Sequence, residues 1–495
     1  MSRRYPLFIL IGFHLILLCL TKFTLWPEMV VYPFLLNHNF LLYKDLINPY
    51  PPLFTVFLSS FTSFFGYTPM AMRVLTYMAI VAIDILIFNF SIKLFKNRKA
   101  AICNTLFFVL FSIPFGVNGL WFDLFQTPFI LAGIYYLVSA KKPQNFPIAI
   151  GLFALAFFIK QQAIWIMPVY VVYAFKYYKL FKLDFGKIIL ESVAVVGILG
   201  LANLGLVFAF GTYPEFISWA VIFPFFKAKD LPGYIAPPSM SQVLLLVSLF
   251  SAFIPALIES RIKNQELSKT NYGIYFAAVL LVLFAYPRFD YFHLVPALAL
   301  LSLLVFVNFR GLTPPALSQL WKRGETSKIN RLSRQGETSK ILKRSPATLL
   351  YLFFIPVILF SARQYKGDFG FQTRFFEPEI LQAAQQISKK TKPNDLLYLQ
   401  NSPDQLLVLS NRLPVKPWAD EFPWYLEYEK TQQNVFKAIK NIKPEFVVSF
   451  PYAQGTKFQQ GAYQPLLIAS YLQKNYKVIS KLGGNLRLVQ KITND

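Results

Sequence analysis

Four carboxylates stand beside apolar segments in a chain that has few acids. The sequence contains 24 Asp and Glu among 495 residues. Glu28 and Asp45 follow the first apolar run, Asp123 begins the fourth, and Asp290 begins the tenth. A carboxylate at the edge of an apolar helix can accept a proton, and acids in membrane proteins tend to face an interior cavity. If these helices end on one side of a membrane, the four side chains can meet in a single site.

Basic residues suited to a phosphate are also few on that side. Lys160 and Arg288 stand at predicted helix ends, where the phosphate of a membrane lipid would lie. Fixed positive charge there would stabilise a departing phosphate, although lysines at such ends often only extend toward the interface. His293 has two interpretations as well: it contacts phosphate or metal, or it packs as a satisfied histidine on an apolar helix.

The composition indicates a polytopic membrane protein. Charged residues make up 15% and hydrophobic residues 55% of the sequence, and the mean hydropathy is +0.45. Because a soluble domain has roughly 25% charged residues, most of this surface must face lipid. The net charge is +25, but the basic residues cluster between apolar runs, which argues against nucleic-acid binding. Cys19 and Cys103 lie inside apolar runs and indicate neither a disulfide nor a zinc site.

Apolar runs of the length needed to cross a bilayer give about eleven candidate spans. The predicted spans are 6–25, 70–92, 100–116, 123–139, 146–159, 162–175, 188–210, 239–258, 272–286, 291–308 and 347–361. The first follows Arg3 and Arg4 without a small-residue cleavage site, so we expect a retained span and a cytoplasmic N-terminus.

Basic segments agree with this topology. They fall on every second connection, as the positive-inside rule requires, at 93–99, 141–142, 176–187, 261–269 and 310–344. The sequence therefore predicts a multi-pass plasma-membrane protein in which the four carboxylates lie on the outer face.

Two segments depart from the apolar pattern. Residues 310–346 contain a near-repeat, 323–329 and 335–341, among many basic residues, which indicates a cytoplasmic linker lying on anionic lipid. After residue 361 the composition becomes soluble-like. Helical patterns at 379–391, 434–442 and 463–474 alternate with strand-like runs at 396–399, 446–450, 476–481 and 486–491. We expect a membrane domain, 1–361, and a small extracytoplasmic α/β domain, 362–495.

The first outer loop, 26–69, carries a pattern that resembles a known superfamily. Pro49, Pro51 and Pro52 fix extended backbone before the apolar stretch 53–65, which is too short to span and should lie along the interface. An acid after the first span, a Tyr-x-Asp, a Pro-Pro-Leu and a Phe-Gly resemble the GT-C superfamily of polytopic glycosyltransferases. Family 39, the protein mannosyltransferases and the aminoarabinose transferases are examples. Further matching segments are 160–163 (Lys-Gln-Gln-Ala) and 288–296 (Arg-Phe-Asp-Tyr-Phe-His-Leu-Val-Pro).

The resemblance implies transfer of a sugar from a polyprenyl-phosphate donor to a glycan, lipid or protein acceptor at the outer face. It also implies a catalytic acid in the first outer loop. Glu28 holds that position, although Pro27 stands where the superfamily often has a second acid. Glu28 would deprotonate the acceptor as it attacks the anomeric carbon, so that one displacement inverts the configuration.

The remaining candidates complete the predicted site. Asp45 and Asp123 join Glu28 in the predicted catalytic set, and the predicted substrate-binding residues are Tyr43, Lys160, Arg288, Asp290 and His293. Each acid has a structural alternative: Glu28 marks the end of a helix, Asp45 pairs with Lys44 or caps a turn, and Asp123 caps the fourth span. Asp45 has two functional interpretations, positioning of the sugar or ligation of a divalent cation together with Glu28, and the sequence leaves the cofactor otherwise open.

Two other functions compete with sugar transfer from a polyprenyl phosphate. An oligosaccharide polymerase or ligase that uses polyprenyl diphosphate usually centres its chemistry on arginines in a late outer loop. A lipid or glycan transporter would be expected to show internal repeats and helices broken at the midplane. The acids here cluster in the first outer loop and at one face, which favours the transferase.

Overall fold

The computed structural model describes residues 5–138, 142–181, 185–231, 234–254, 257, 265–306, 346–419, 423–428, 430–450 and 465–492. Within these ranges the chain is mainly helical. The predicted linker at 310–346 lies almost entirely outside the described residues.

Helices of the first 368 residues follow the apolar runs of the sequence. They are α1 (Tyr5–Cys19), α2 (Glu28–Asn37), α3 (Pro52–Phe65), α4 (Pro69–Phe95), α5 (Arg98–Ser112), α6 (Phe122–Val138), α7 (Asn145–Ile159), α8 (Met167–Phe181), α9 (Phe185–Phe210), α10 (Tyr213–Phe216), α11 (Met240–Ser251), α12 (Gln265–Leu281), α13 (Val295–Ser302) and α14 (Pro346–Asp368). Turns of 3-10 helix occupy Gln161–Ile166, Ala228–Asp230, Val282–Ala285 and Tyr291–Leu294, and Ile217–Lys227 is a π-helix.

Two of the described helices are long and apolar enough to cross a membrane, Pro69–Phe95 and Gly186–Phe210. Seven others are apolar but shorter, so the number of eleven spans stays a prediction. The predicted first span, 6–25, differs from the structure, because α1 ends at Cys19 and the chain continues as strand β1 (Phe23–Leu25). Thr21 and Lys22 interrupt the apolar run at this point.

Strand β1 belongs to a small sheet built from three distant parts of the chain. It pairs in parallel with β2 (Gly119–Leu120) on one side and with β3 (Thr373–Arg374) on the other. The side chain of Asn118 adds hydrogen bonds to the carbonyls of Leu18 and Thr21. The sheet therefore joins the segments that follow α1, α5 and α14.

A second sheet organises the C-terminal part. Its strands are β4 (Leu397–Gln400), β5 (Phe446–Ser449), β6 (Tyr476–Gly483) and β7 (Leu486–Lys491), in the order β4-β5-β7-β6. Strands β4 and β5 are parallel, and the other two pairs are antiparallel. The accompanying helices are α15 (Pro378–Lys390), α16 (Gln405–Ser410), α17 (Pro423–Glu427), α18 (Thr431–Ile442) and α19 (Leu466–Asn475). These elements fall close to the helical and strand-like ranges predicted from the sequence. Leu381 of α15 and Ile442 of α18 are apolar residues of these helices that are exposed.

Two large hydrophobic clusters divide the molecule. One contains side chains from the apolar helices, including α4, α6, α7 and α13. The other combines the first outer loop with residues of the C-terminal part, such as Trp418 and Tyr428. The C-terminal part therefore packs directly on the loop that carries the predicted catalytic acid.

Candidate active site

A cavity of about 110 Å³ lies where the first loop, the turn after α7 and the segment before α13 meet. Five of the eight predicted site residues line it: Glu28, Lys160, Arg288, Asp290 and His293. Aromatic and polar residues complete the wall, including Trp26, Tyr50, Trp121, Gln161, Gln162, Tyr234, Phe292 and Tyr425.

The three-stranded sheet brings Glu28 to this cavity. In its register Leu25 pairs with Leu120, so the next residues, Trp26 and Trp121, lie side by side with ring centroids 5.4 Å apart. The backbones approach closely here, because a Cβ on Gly119 would lie 3.1 Å from the Thr24 carbonyl oxygen. Glu28 is the first residue of α2, where the positive end of the helix dipole stabilises a carboxylate.

Three predicted residues form a buried cluster: Lys160 and His293 line the cavity, and Asp123 lies behind them. Lys160 Nζ donates to Asp123 Oδ2 at 2.7 Å, and His293 Nδ1 lies 3.1 Å from the same oxygen. Lys160 is 1% exposed, and burial lowers the pKa of its ammonium while the Asp123 carboxylate opposes that shift. Asp123 Oδ1 has no hydrogen-bond partner among the described residues, so this carboxylate does not cap α6. Asp123 therefore serves as the counter-ion of Lys160.

Helix α6 also fixes the backbone of Lys160. Gln126 lies one turn after Asp123, and its Nε2 donates to the carbonyls of Ala156 at 3.1 Å and Lys160 at 2.6 Å. The Ala156 carbonyl also accepts the Lys160 amide and the Lys160 carbonyl the Ala163 amide, so Gln126 adds a second donor to each where α7 ends. One face of α6 thus holds both the main chain and the side chain of Lys160.

Arg288 and Asp290 also line the cavity and are half-buried. Arg288 Nη1 donates to the Tyr234 carbonyl at 3.3 Å. The Ala236 amide donates to the Pro287 carbonyl, and the Phe289 amide donates to the Ala236 carbonyl, so the segments 234–236 and 287–289 are joined through their backbones. Partial burial lowers the pKa of the Arg288 guanidinium, and the nearby Asp290 carboxylate opposes this shift. Arg288 therefore adds a second positive charge to the cavity wall.

Asp45 and Tyr43 lie apart from the residues that line the cavity. Asp45 Oδ2 accepts from Lys416 Nζ at 2.9 Å and from the Leu41 amide at 3.2 Å, in a partly exposed position. Tyr43 is buried and donates its hydroxyl to the Tyr50 carbonyl at 3.0 Å. Asp45 therefore joins the first loop to the C-terminal part. Tyr43 does not line the cavity, but its hydrogen bond holds the backbone of Tyr50, which does.

Comparison with solved structures identifies the fold. The crystal structure of ArnT from Cupriavidus metallidurans bound to undecaprenyl phosphate matches with a TM-score of 0.60 and 14% identity, over 99% of this chain and 98% of that chain. An oligosaccharyltransferase from Archaeoglobus fulgidus, in its apo form, matches with a TM-score of 0.56 and 11% identity, over 90% of this chain and 69% of that chain. This chain has the GT-C fold.

The GT-C fold agrees with the resemblance inferred from the first-loop motifs. The apo structure of the same ArnT gives a TM-score of 0.59 at 13% identity, with coverage of 99% and 97%. No family model and no curated relative matches the sequence. The similarity to GT-C proteins therefore lies in the fold and in the short motifs.

Sequence reasoning missed several polar residues of this GT-C fold. Asp84 is fully buried in α4 and lies 2.8 Å from His14 of α1, and an acid inside a predicted span was a usable signal. Gln161 and Gln162 line the cavity beside Lys160, and their position between two apolar runs was visible in the sequence. Helix α2 was not predicted, because its residues 29–36 form one apolar run without helical periodicity and include Pro33.

The predicted cation site between Glu28 and Asp45 does not fit this geometry, because Asp45 pairs with Lys416 instead. In the part of the chain that the structure describes, no three His, Cys, Asp or Glu side chains form a group that could hold a metal ion. Glu28 and Asp290 share the cavity as carboxylates, together with Lys160 and Arg288. This donor set suits a phosphate and a proton acceptor better than a divalent metal.

Proposed function

We propose that this protein is an inverting glycosyltransferase that uses a polyprenyl-phosphate-linked sugar. The observation that carries the proposal is one cavity, in a GT-C fold, that joins the Glu28 carboxylate to the positive charges of Lys160 and Arg288. ArnT, a protein of the same fold, was crystallised with undecaprenyl phosphate, which supports a donor of this kind.

The two cations would hold the phosphate of the donor. Asp123 lies beside the Lys160 ammonium and favours its charged form, and Arg288 lines the cavity from the segment before α13. When the bond between the anomeric carbon and the phosphate oxygen breaks, its electron pair stays on the phosphate. Fixed positive charge in a site with little water stabilises this developing charge without reorganisation. The leaving group is the polyprenyl phosphate anion.

Glu28 would act as the general base. The acceptor hydroxyl or amine attacks the anomeric carbon from the face opposite the phosphate, and its proton moves to the Glu28 carboxylate. The new bond forms as the bond to phosphate breaks, so the product has the inverted configuration. General base catalysis of this kind contributes about 10²-fold to 10⁴-fold to a rate.

A neighbouring cavity of about 210 Å³ offers the acceptor a place beside the donor. It shares Trp26, Trp121, Asp290 and Phe292 with the first cavity. Its own charged residues are Lys22, Asp368 and Arg374. We propose that a polar acceptor, as part of a glycan, lipid or protein, enters here from the outer face of the plasma membrane, with the N-terminus in the cytoplasm.

The test is a transfer assay on the full chain in nanodiscs. Radiolabelled undecaprenyl-phosphate sugars are supplied with a membrane extract as the acceptor source, and label in the product is measured. Glu28→Gln should lower the rate by about 100-fold or more. The matched control is Glu379→Gln, because Glu379 is exposed on α15 and the chemical change is the same.

Equal transfer by Glu28→Gln and wild type would remove Glu28 from the mechanism. Movement of the labelled lipid across the bilayer without product would instead support a transporter. Transfer that requires a polyprenyl diphosphate donor would support a polymerase or ligase.

A further inference from the structure

Three polar side-chain atoms around the first cavity have no hydrogen-bond partner among the described residues. They are Trp121 Nε1, Gln161 Oε1 and Gln162 Oε1. All three residues line the cavity. A buried donor or acceptor without a partner is costly, and native proteins seldom leave one unused. Three such atoms beside one cavity therefore point to a polar ligand.

The orientation of the Gln161 amide follows from its surroundings. Its Nε2 donates to the Pro49 carbonyl at 2.7 Å and lies 3.5 Å from the Ala220 carbonyl. Both partners are acceptors, so the opposite orientation would place an oxygen against two oxygens. The side chain is 4% exposed, and its Oε1 is the acceptor left for a ligand.

The indole of Trp121 is held just as firmly. Its ring centroid lies 5.6 Å from that of Phe292 and 6.2 Å from that of Tyr50, in addition to the contact with Trp26. The residue is 9% exposed, so the ring has little freedom to turn. An indole N–H can only donate. Beside the cavity there are therefore one fixed donor, on Trp121, and one fixed acceptor, on Gln161, with the Gln162 amide as a third uncharged polar group.

These atoms match the hydroxyl groups of a sugar, since a hydroxyl both donates and accepts a hydrogen bond. The charged residues already have roles under the proposed function, on which this inference rests: Lys160 and Arg288 for the phosphate, Glu28 for the proton. We infer that Trp121, Gln161 and Gln162 recognise the hydroxyl groups of the transferred sugar and set the donor specificity.

The test compares binding of two lipids, undecaprenyl phosphate alone and the same lipid carrying glucose, mannose, galactose or arabinose. Calorimetry on wild type, Trp121→Phe and Gln162→Met in nanodiscs gives the affinities. Wild type should bind at least one sugar-bearing lipid more tightly than the bare lipid. Each variant should lose about threefold to tenfold in affinity for that sugar-bearing lipid and nothing for the bare lipid.

The bare lipid serves as the internal control for folding, because a distorted cavity would also weaken its binding. Equal losses for both lipids, or no loss for either, would overturn the inference. The inference would also be overturned if no sugar improved wild-type binding. A deoxy analogue of the preferred sugar adds a second check: removal of the recognised hydroxyl should abolish the difference between wild type and variant.

The binding test and the transfer test can refute the two proposals independently of each other. Normal transfer by Glu28→Gln would refute the proposed base and leave sugar recognition by Trp121 standing. Selective transfer that is unaffected by Trp121→Phe and Gln162→Met would refute the recognition residues and leave the transferase standing.

Discussion

Asp123 lies beside the buried Lys160 side chain and favours its charged form. Burial of an ammonium favours the neutral amine, whereas a carboxylate at 2.7 Å favours the charged form. The pKa of Lys160 is the result of these two opposing effects, and it lies below the ordinary lysine value. The charge available to a phosphate therefore depends on a residue that does not itself line the cavity.

Asp123→Asn should change how binding depends on pH. Without the carboxylate, the pKa of Lys160 falls further, so the amine loses its proton at a lower pH. Binding of undecaprenyl phosphate, measured by calorimetry across an alkaline series, should then be lost at a lower pH than in wild type. An unchanged alkaline limit would show that Lys160 does not carry the phosphate affinity.

Asp45→Asn tests the position that the structure gives this residue. Asp45 pairs with Lys416 in a partly exposed site, and such pairs contribute little to stability. We expect the variant to transfer sugar at the wild-type rate in the assay used for Glu28→Gln. A loss as large as that of Glu28→Gln would restore Asp45 to the predicted catalytic set.

The predicted site residues divide between the cavity and other positions for physical reasons. Glu28, Lys160 and Arg288 line the cavity, and each charge stands at the end of an apolar run, where topology limits its position. Asp45 and Tyr43 lie in the middle of a folded loop, and no periodicity shows which way such side chains point. The ion pair between Asp123 and Lys160 joins two helices across 37 positions, which spacing alone does not reveal.

Close packing of α6 against α7 keeps Asp123 and Lys160 next to each other. Gly133 of α6 faces Phe153 of α7, and a Cβ at residue 133 would overlap the Phe153 ring. Phe153 is 1% exposed, so its ring cannot move aside without disturbing the core. The two helices carry Asp123 and Lys160 at the ends that meet near the cavity. Gly133 thus lets α6 pack closely against α7, and Asp123 and Gln126 then bond Lys160 at the end of α7.

Gly133→Ala should destabilise the protein by about 1–3 kcal/mol, because it overpacks the contact between α6 and α7. The measurement is the thermal unfolding midpoint in detergent. Gly205→Ala is the matched control, since Gly205 lies in α9 and a Cβ there meets nothing within 4 Å. Gly133→Ala combined with Phe153→Leu should recover part of the loss. Equal midpoints for Gly133→Ala and Gly205→Ala would contradict the packing argument.

Elements with a strong periodic signal were predicted, and those without one were not. Strands β4 and β5 and helices α15 and α18 follow from alternation of the two periods in the C-terminal part. Strands β1, β2 and β3 have two or three residues each, which is too short for any pattern. Their pairing is set by tertiary contacts between distant segments.

The two halves of the chain share a hydrophobic cluster. Trp219 and Phe223, in the π-helix, pack against Tyr428 with ring centroids 4.8 Å and 5.1 Å away, and Tyr425 also lines the cavity. The backbone amide of Trp418 donates to the Asp45 carbonyl. If the C-terminal part lies on the outer side of the membrane, the cavity that Tyr425 helps to line lies on the outer side as well.

Cysteine labelling tests this orientation. In a background with Cys19→Ala and Cys103→Ala, Lys99→Cys reports the start of α5 and Lys389→Cys reports the end of α15; both lysines are exposed. A membrane-impermeant maleimide should label Lys389→Cys in intact spheroplasts and Lys99→Cys only after permeabilisation. The reverse pattern would invert the predicted topology and place the cavity on the cytoplasmic side.

The three-stranded sheet has a consequence for redesign. It holds the segments leading to Glu28 and to Trp121 through main-chain hydrogen bonds, which need no particular side chain apart from the small Gly119. The base is therefore positioned by backbone pairing and not by the side chains of Trp121 and Gln162. Substitutions at Trp121 and Gln162 should alter which donor is accepted while the base stays in place, so this scaffold is suited to laboratory evolution toward new sugars.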